Sequence, residues 1–319
     1  MRRNPRNDYS LHFVVSGERP QNFILEGSTL PSDRFAEFPT RRELVELKRE
    51  HVSKYAASPQ YLKCDLKTFK LSPVTLGSRF DVILVDPPWD QYGGASWTFE
   101  EIRALTLEDI ADPGGSFCFL WCGSGNADGL ERGRECLAKW GYRRCEDVCW
   151  LKTNKRNKTS SEHSATATTA ADPLLVPTKE HCLVGVMGSI RRSRDAHIIH
   201  ANIDTDVIIS EEPEDPSSTR KPDELYDIIC NFVQGTRRLE LFGCDHNVRD
   251  GWLTLGLEIS SSNFVVQTLV GGTSESEHLT HVSAGATGVT PPGAGHLLPY
   301  HPRIEALRPK TPPFRMGQR

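Results

Sequence analysis

The chain has 319 residues, of which 25% are charged and 37% hydrophobic, and a net charge of −4. This is enough apolar material for one large or two small domains, and the acidic balance excludes a wholly basic nucleic-acid binder, so any such contact must come from local patches. No apolar run approaches the length of a membrane span, no signal peptide opens the sequence, and nine cysteines scattered through apolar runs point to a reducing compartment.

In chain order, Met1 to Asp8 is polar and Arg-rich and reads as a flexible arm, and His12 to Ile24 reads as irregular. Arg41 to Lys48 carries mixed charges at helical spacing around Leu44, Val45 and Leu47, which predicts an amphipathic helix packed on the main domain. Tyr61 to Leu66 follows as a short strand or turn. Val82 to Val85 is apolar without alternation, as in a strand of a parallel sheet buried on both faces. Pro87 and Pro88 end it, which leaves Asp86 at the carboxyl end, the edge where open α/β sheets bind ligands.

Asp90 to Trp97 is a loop with adjacent glycines between aromatic residues, and it suits either a gate over a flipped base or an ordinary surface loop with Trp97 packed down. Thr98 to Glu101 fits a capping box and starts a short helix. Asp112 to Gly115 turns the chain into a strand from Ser116 to Trp121. A helix from Asn126 or Asp128 to Lys139 ends with Gly141 as its left-handed cap. The densest basic region comes next, with Arg143, Arg144, Lys152, Lys155, Arg156 and Lys158 flanking a strand at Val148 to Leu151. Beside Tyr142 and Trp150, this is either part of a phosphate-tracking groove or a solvated charged face. Thr159 to Asp172, rich in Ser, Thr and Ala, reads as a flexible excursion.

Lys179 stands at the entry of an extended apolar stretch from His181 to Met187. Ser189 to Arg194 is a second basic stretch, Asp206 to Ser210 a further strand, and Glu211 to Asp215 an acidic loop that would repel phosphate. Pro222 to Ile229 starts a helix with proline and acids in its first turn. Arg238 to Gly243 is a strand ending in a glycine turn, a weak signal for a cofactor site. Cys118-x-x-x-Cys122 and Cys145-x-x-x-Cys149 lack the spacing of a zinc site and read as core-packed thiols, so no metal centre is expected. The domain boundaries follow: 1–57 an arm and packing helix, 58–272 the main domain, and 273–319, rich in Gly, Pro, Ser and Thr, a disordered tail.

An acid followed by Pro-Pro and an aromatic residue suits one chemistry in particular. The exocyclic amine of adenine is a poor nucleophile, and the Asp86 carboxylate and Pro87 carbonyl can accept its two hydrogens and align its nitrogen, while Trp89 offers a flat face to the base. Asp86-Pro87-Pro88-Trp89 resembles the signature of the MT-A70 family of adenine-N6 methyltransferases. Arg19 to Ile24, Phe119 to Gly125, Lys139 to Asp147, Lys179 to Leu183, Ile199 to Asn202 and Gly251 to Thr254 carry the likeness over roughly residues 7 to 270. The likeness is greatest to the branch that supplies the RNA-binding subunit of the messenger-RNA adenosine methyltransferase heterodimer.

The resemblance implies an α/β, Rossmann-like methyltransferase fold with permuted motif order and a mostly parallel central sheet. It implies S-adenosylmethionine as cofactor, held by Asp65, Leu66, Glu240, Gly243, His246 and Asn247, although Asp65 reads equally well as a solvated turn acid. Lys179 would join Asp86, Pro87, Pro88 and Trp89 at the reaction site. Arg143, Arg144, Lys155, Arg156, Arg191, Arg192 and Arg194 would line the nucleic-acid groove. The implied partners are RNA and a second family subunit, and the implied location is the nucleus. The intact tetrapeptide and His246-Asn247 favour a competent enzyme. Overall likeness, Cys244 in place of the catalytic branch's arginine, and Leu257-Glu258 in place of its Asn-Gln favour a silent RNA-binding partner. A DNA adenine methyltransferase would share the same site.

Overall fold

The computed structural model describes residue 22 and residues 38–89, 97–124, 129–156, 178–189, 204–215, 218–265 and 297–308. Among these, helix α1 (Pro39–Tyr55) leads to β1 (Gln60–Lys63), α2 (Pro73–Leu76) and β2 (Val82–Val85). Next come α3 (Phe99–Arg103), α4 (Leu107–Ile110), β3 (Ser116–Trp121), α5 (Gly129–Lys139), β4 (Arg143–Thr153) and β5 (Lys179–Met187). The series continues with β6 (Val207–Glu211), α6 (Glu224–Phe232), β7 (Arg238–Leu241), β8 (Trp252–Gly256) and α7 (Pro302–Leu307).

The eight strands form one sheet in the order β1-β8-β7-β2-β3-β5-β4-β6. Only β5 runs against its neighbours, so the sheet is mostly parallel, as expected for an α/β Rossmann-like methyltransferase fold. All four residues of β2 are buried, because apolar layers cover both faces. Alternation along the strand sends Ile83 and Val85 into one layer with Leu120, Leu183 and Leu241. It sends Val82 and Leu84 into the other with Phe119, Trp150 and Tyr226. β7 lies directly beside β2, with Leu84 opposite Glu240, so the late glycine turn meets the early tetrapeptide across one strand spacing.

Local signals in the sequence were read correctly at several ends. Thr98 and Glu101 form the reciprocal capping box, and Gly141 takes φ 78° after α5, the left-handed value that favours glycine. The reading of the cysteines is corrected in part. Cys118, Cys122, Cys136 and Cys182 are buried, but Cys145 is exposed, because β4 runs along the periphery beyond the stretch that β6 pairs.

The expectation of a disordered tail over 273–319 is corrected at 297–308. Leu297 bridges to Gly235, Leu298 donates its N–H to the Gln234 carbonyl at 2.9 Å, and α7 seats Ile304 and Leu307 against Leu44, Val45 and Leu47 of α1. His301 caps the helix through Nδ1, and Pro302 follows at its first turn, so a short stretch with two apolar anchors three residues apart is enough. Ile304, 2% exposed, is the centre of this contact. Ile304→Ala is expected to lower stability by about 2–4 kcal/mol in urea unfolding, whereas an undocked tail would leave the midpoint unchanged.

Candidate active site

The carboxyl ends of β1, β8, β7, β2, β3 and β4 and the amino end of β5 share one edge of the sheet. That geometry gathers Asp65, Gly256, Gly243, Asp86 and Glu180 from positions far apart in the chain. Asp86 continues the alternation of Val82 and Leu84, so its carboxylate lies on the face covered by α6. Burial pushes its pKa up to about 6; the Lys221 ammonium, 3.5 Å away, pulls it down, and Glu180 pushes it up again.

Lys221 and Glu180 are the members of the site that sequence reasoning missed. Glu180 is 5% exposed and pairs with Lys152 at 2.5 Å and Lys221 at 3.0 Å. Burial acts to raise its pKa, but the two lysines hold it at about 2. The lysines lie over apolar floors, Lys221 above the Trp121 ring at 5.7 Å and Lys152 above Trp150 at 4.7 Å. The result is a partly buried line of alternating charge, Asp86, Lys221, Glu180 and Lys152, able to offer acceptors and a donor to a flat polar ligand.

Lys179, expected at the reaction site, is exposed and lies on the other face. In β5 it alternates with Glu180, and it stands opposite Leu151, on the side of Cys149 and His181. The Pro87 carbonyl accepts the Trp89 N–H at 2.8 Å across Pro88 and keeps a second lone pair for an outside donor. One further expectation about the tetrapeptide is corrected. Trp89 is 1% exposed, and its indole N–H donates to the Trp121 carbonyl at 2.6 Å. It therefore fastens the loop after β2 to β3 within the layer opposite Asp86, and offers no face to a base. Pro88, half-buried, joins the two.

On the expected cofactor side, Glu240 is 1% exposed and accepts from the Tyr226 hydroxyl at 2.7 Å and the Asn247 amide at 2.8 Å. Burial pushes its pKa up to about 8. The Asn247 amide also donates to the Tyr226 oxygen at 3.0 Å, and its carbonyl accepts the Cys244 N–H at 2.8 Å. Arg249 stacks on the Tyr226 ring at 3.3 Å and closes this cluster from outside. Gly243 and Gly256 are required by the chain itself. A Cβ on Gly243 would meet Thr254 Cγ2 at 2.2 Å, and one on Gly256 would meet the Gly243 oxygen at 1.9 Å.

S-adenosylmethionine fits these residues poorly at Asn247 and Gly243: both polar atoms of the Asn247 side chain are engaged internally, and Thr254 fills the space over Gly243. Glu240 Oε2 alone argues the other way, being buried without a partner among the described residues. His246 is exposed at its surface, and partial desolvation of the ring followed by the Arg220 and Arg249 charges lowers its pKa. Leu66 is buried at 5% in the core and presents only backbone; Asp65 turns its carboxylate onto the Lys67 N–H at 2.9 Å, which favours the turn-acid reading.

The basic cluster divides. Arg143 and Arg144 open β4 while Lys155 and Arg156 follow its end, and an eleven-residue strand sets the two pairs roughly 30 Å apart. Only Lys155 and Arg156 share the edge with Asp86. There the Glu211 carboxylate accepts the Arg156 N–H at 2.7 Å and the Thr153 hydroxyl at 2.7 Å, which places an acid within the basic end. Nearby, Asn22 and Asn154 exchange hydrogen bonds of 2.9 and 2.8 Å, which ties the early chain to this rim. Arg191, Arg192 and Arg194 lie outside the described residues, as do Asp90 to Ser96 of the loop considered as a gate. Trp97 itself is packed down, 4.9 Å from Phe242 in an edge contact.

A profile described as MT-A70 matches residues 80–258. The N(6)-adenosine-methyltransferase non-catalytic subunit METTL14 of Danio rerio is 44% identical over 318 residues, covering 97% of this chain and 63% of that protein. The protein of the same description from Drosophila melanogaster is 46% identical over 325 residues, with 97% and 73% covered. The N6-adenosine-methyltransferase non-catalytic subunit MTB of Arabidopsis thaliana is 52% identical over 220 residues, covering 66% of this chain and 27% of that protein. The chain thus spans less than two thirds of the zebrafish relative's length.

Proposed function

Since the chain belongs to the MT-A70 family, we propose that it is a subunit of an RNA N6-adenosine methyltransferase complex in the nucleus, pairing with a second family member and holding RNA for it. In this reading methyl transfer belongs to the other subunit. The observation that carries it is the cluster of Asn247, Glu240 and Tyr226, whose hydrogen bonds, Glu240 Oε2 apart, are spent on one another and on the Cys244 N–H. A ribose or an amino-acid carboxylate would have to break that cluster in order to bind, leaving buried polar atoms unpaired at about 1–3 kcal/mol each. The names of the relatives, non-catalytic subunits in animals and in a plant, point the same way.

A second reading, a competent subunit, draws on the other half of the site. Asp86 is at the strand end beside Lys221 and Glu180, and a carboxylate with a pKa of about 6 is ionised at neutral pH, able to accept an amine hydrogen. Calorimetry with S-adenosylmethionine separates the two readings. The silent reading expects no binding heat from the purified chain. Micromolar binding that Asn247→Ala abolishes would establish the competent reading instead.

A further inference from the structure

Near the carboxyl end of α6, towards the opposite end of the strands from Asp86, a thiol sits among basic side chains that the site above does not use. Cys230 is partly exposed, and the Arg238 guanidinium donates to its sulfur through Nη1 at 3.3 Å. Arg238 is 4% exposed, and its Nε is buried without a partner among the described residues. Lys48, 0% exposed, reaches in from α1 to the Gln234 side-chain oxygen. Burial and the nearby Arg238 charge bring the Lys48 pKa down to about 7, and Cys230 is a group that acts in the opposite direction. Glu305 of α7 and Arg308 just after it complete the surroundings, so three basic groups face one carboxylate and one sulfur.

We propose that Cys230 is a peroxide-sensitive thiol, oxidised by hydroperoxides to the sulfenic acid in a pocket where Arg238 and Lys48 receive the anionic sulfur oxygen. The sulfur attacks one peroxide oxygen, the S–O bond forms as the O–O bond breaks, and the alcohol or water leaves with the thiol proton. The sulfur loses two electrons and the peroxide gains them. Reactive thiols combine cationic neighbours with partial exposure, and Cys230 has both. Cys149 is also partly exposed and lies near Lys179, but burial and the Asp147 and Asp206 carboxylates raise its pKa. Cys118 and Cys182 are fully buried, with burial, neighbouring thiols and, for Cys182, carboxylates raising their pKa, and burial together with Asp65 pushes Cys64 up to about 11. Cys145 is exposed, but its thiol is directed to the Val184 carbonyl at 3.4 Å. The added oxygen would give Arg238 and Lys48 an anion in addition to Glu305, and it would do so beside the seat of α7.

The test treats the full chain with dilute hydrogen peroxide in the presence of dimedone and follows adduct formation at each cysteine by mass spectrometry. Cys230 is expected to label ~10-fold faster than Cys145. Cys230→Ser should remove that adduct alone, and Lys48→Met should bring the ratio of the two rates towards one. A wild-type ratio at or below one overturns the proposal whether or not the variants fold. A high ratio that Lys48→Met leaves unchanged overturns the pocket as its cause.

Discussion

Lys48→Met is expected to make the protein about 2 kcal/mol more stable at pH 7 and to lose that advantage by pH 10, so that the two stability profiles converge or cross. Lys48 is wholly buried, and its pKa falls from 10.5 to about 7, burial first and Arg238 second. The unfolded chain therefore binds more protons than the folded one between those values, and stability rises with pH across that window. Below pH 7 the full penalty applies, about 4–5 kcal/mol at about 1.4 kcal/mol per unit. Methionine keeps the stem and removes the charge, but it leaves the Gln234 oxygen, in a residue 8% exposed, without its donor. That loss is about 1–3 kcal/mol and does not vary with pH, so it offsets part of the gain at pH 7 and outweighs what is left at pH 10. Chemical denaturation at the two pH values decides the matter. Parallel profiles, or a variant less stable at pH 7, would mean that Lys48 is charged and satisfied where it lies.

The architecture was legible because its signals are local. An apolar run stopped by Pro87, a threonine with a glutamate three residues on, and a glycine after α5 each specify one backbone outcome from a few neighbouring residues. The site was legible where a strand end itself decided it, at Asp86 and at the turn after Glu240 beside it. Glu180 and Lys221 reach Asp86 from β5 and from the segment before α6, a meeting that depends on sheet order and register. The choice of Lys179 over Glu180 shows how fine that dependence is, since a shift of one residue in a strand changes the face. The basic residues around β4 failed for a related reason: nearness in sequence was read as nearness in space, although an extended strand separates its ends more than any other element does. The tail at 297–308 was obscured by composition, because Gly, Pro and Ser in the preceding stretch outweighed Ile304 and Leu307.

Lys221→Met is expected to cost about 3–5 kcal/mol at neutral pH, because it strips one partner from a buried pair. Glu180, with a side chain 7% exposed, has its pKa lowered from 4.5 to about 2 by Lys221 and Lys152 against the opposing effect of burial. Its depressed pKa means a contribution of about 3 kcal/mol that is fully present above pH 4.5 and is lost as pH falls through 2. Asp86 works in the other direction. Its pKa is raised from 3.8 to about 6, so its ionisation opposes folding as pH climbs through that interval. Lys221, ahead of Lys152, is the main cation that limits this rise, and without it the interval extends above 6. The deficit of Lys221→Met should therefore be small near pH 2, grow through pH 4.5 as Glu180 ionises with a single lysine, and grow again above pH 6. Adding Glu180→Gln to Lys221→Met removes the carboxylate left behind, and the double variant should recover much of the loss, since deleting both members of a buried pair is far milder than deleting one. A deficit below about 1 kcal/mol that is the same at pH 3 and pH 7 would show an exposed, solvent-screened contact. The line of charge from Asp86 to Lys152 would then have no hold on the fold.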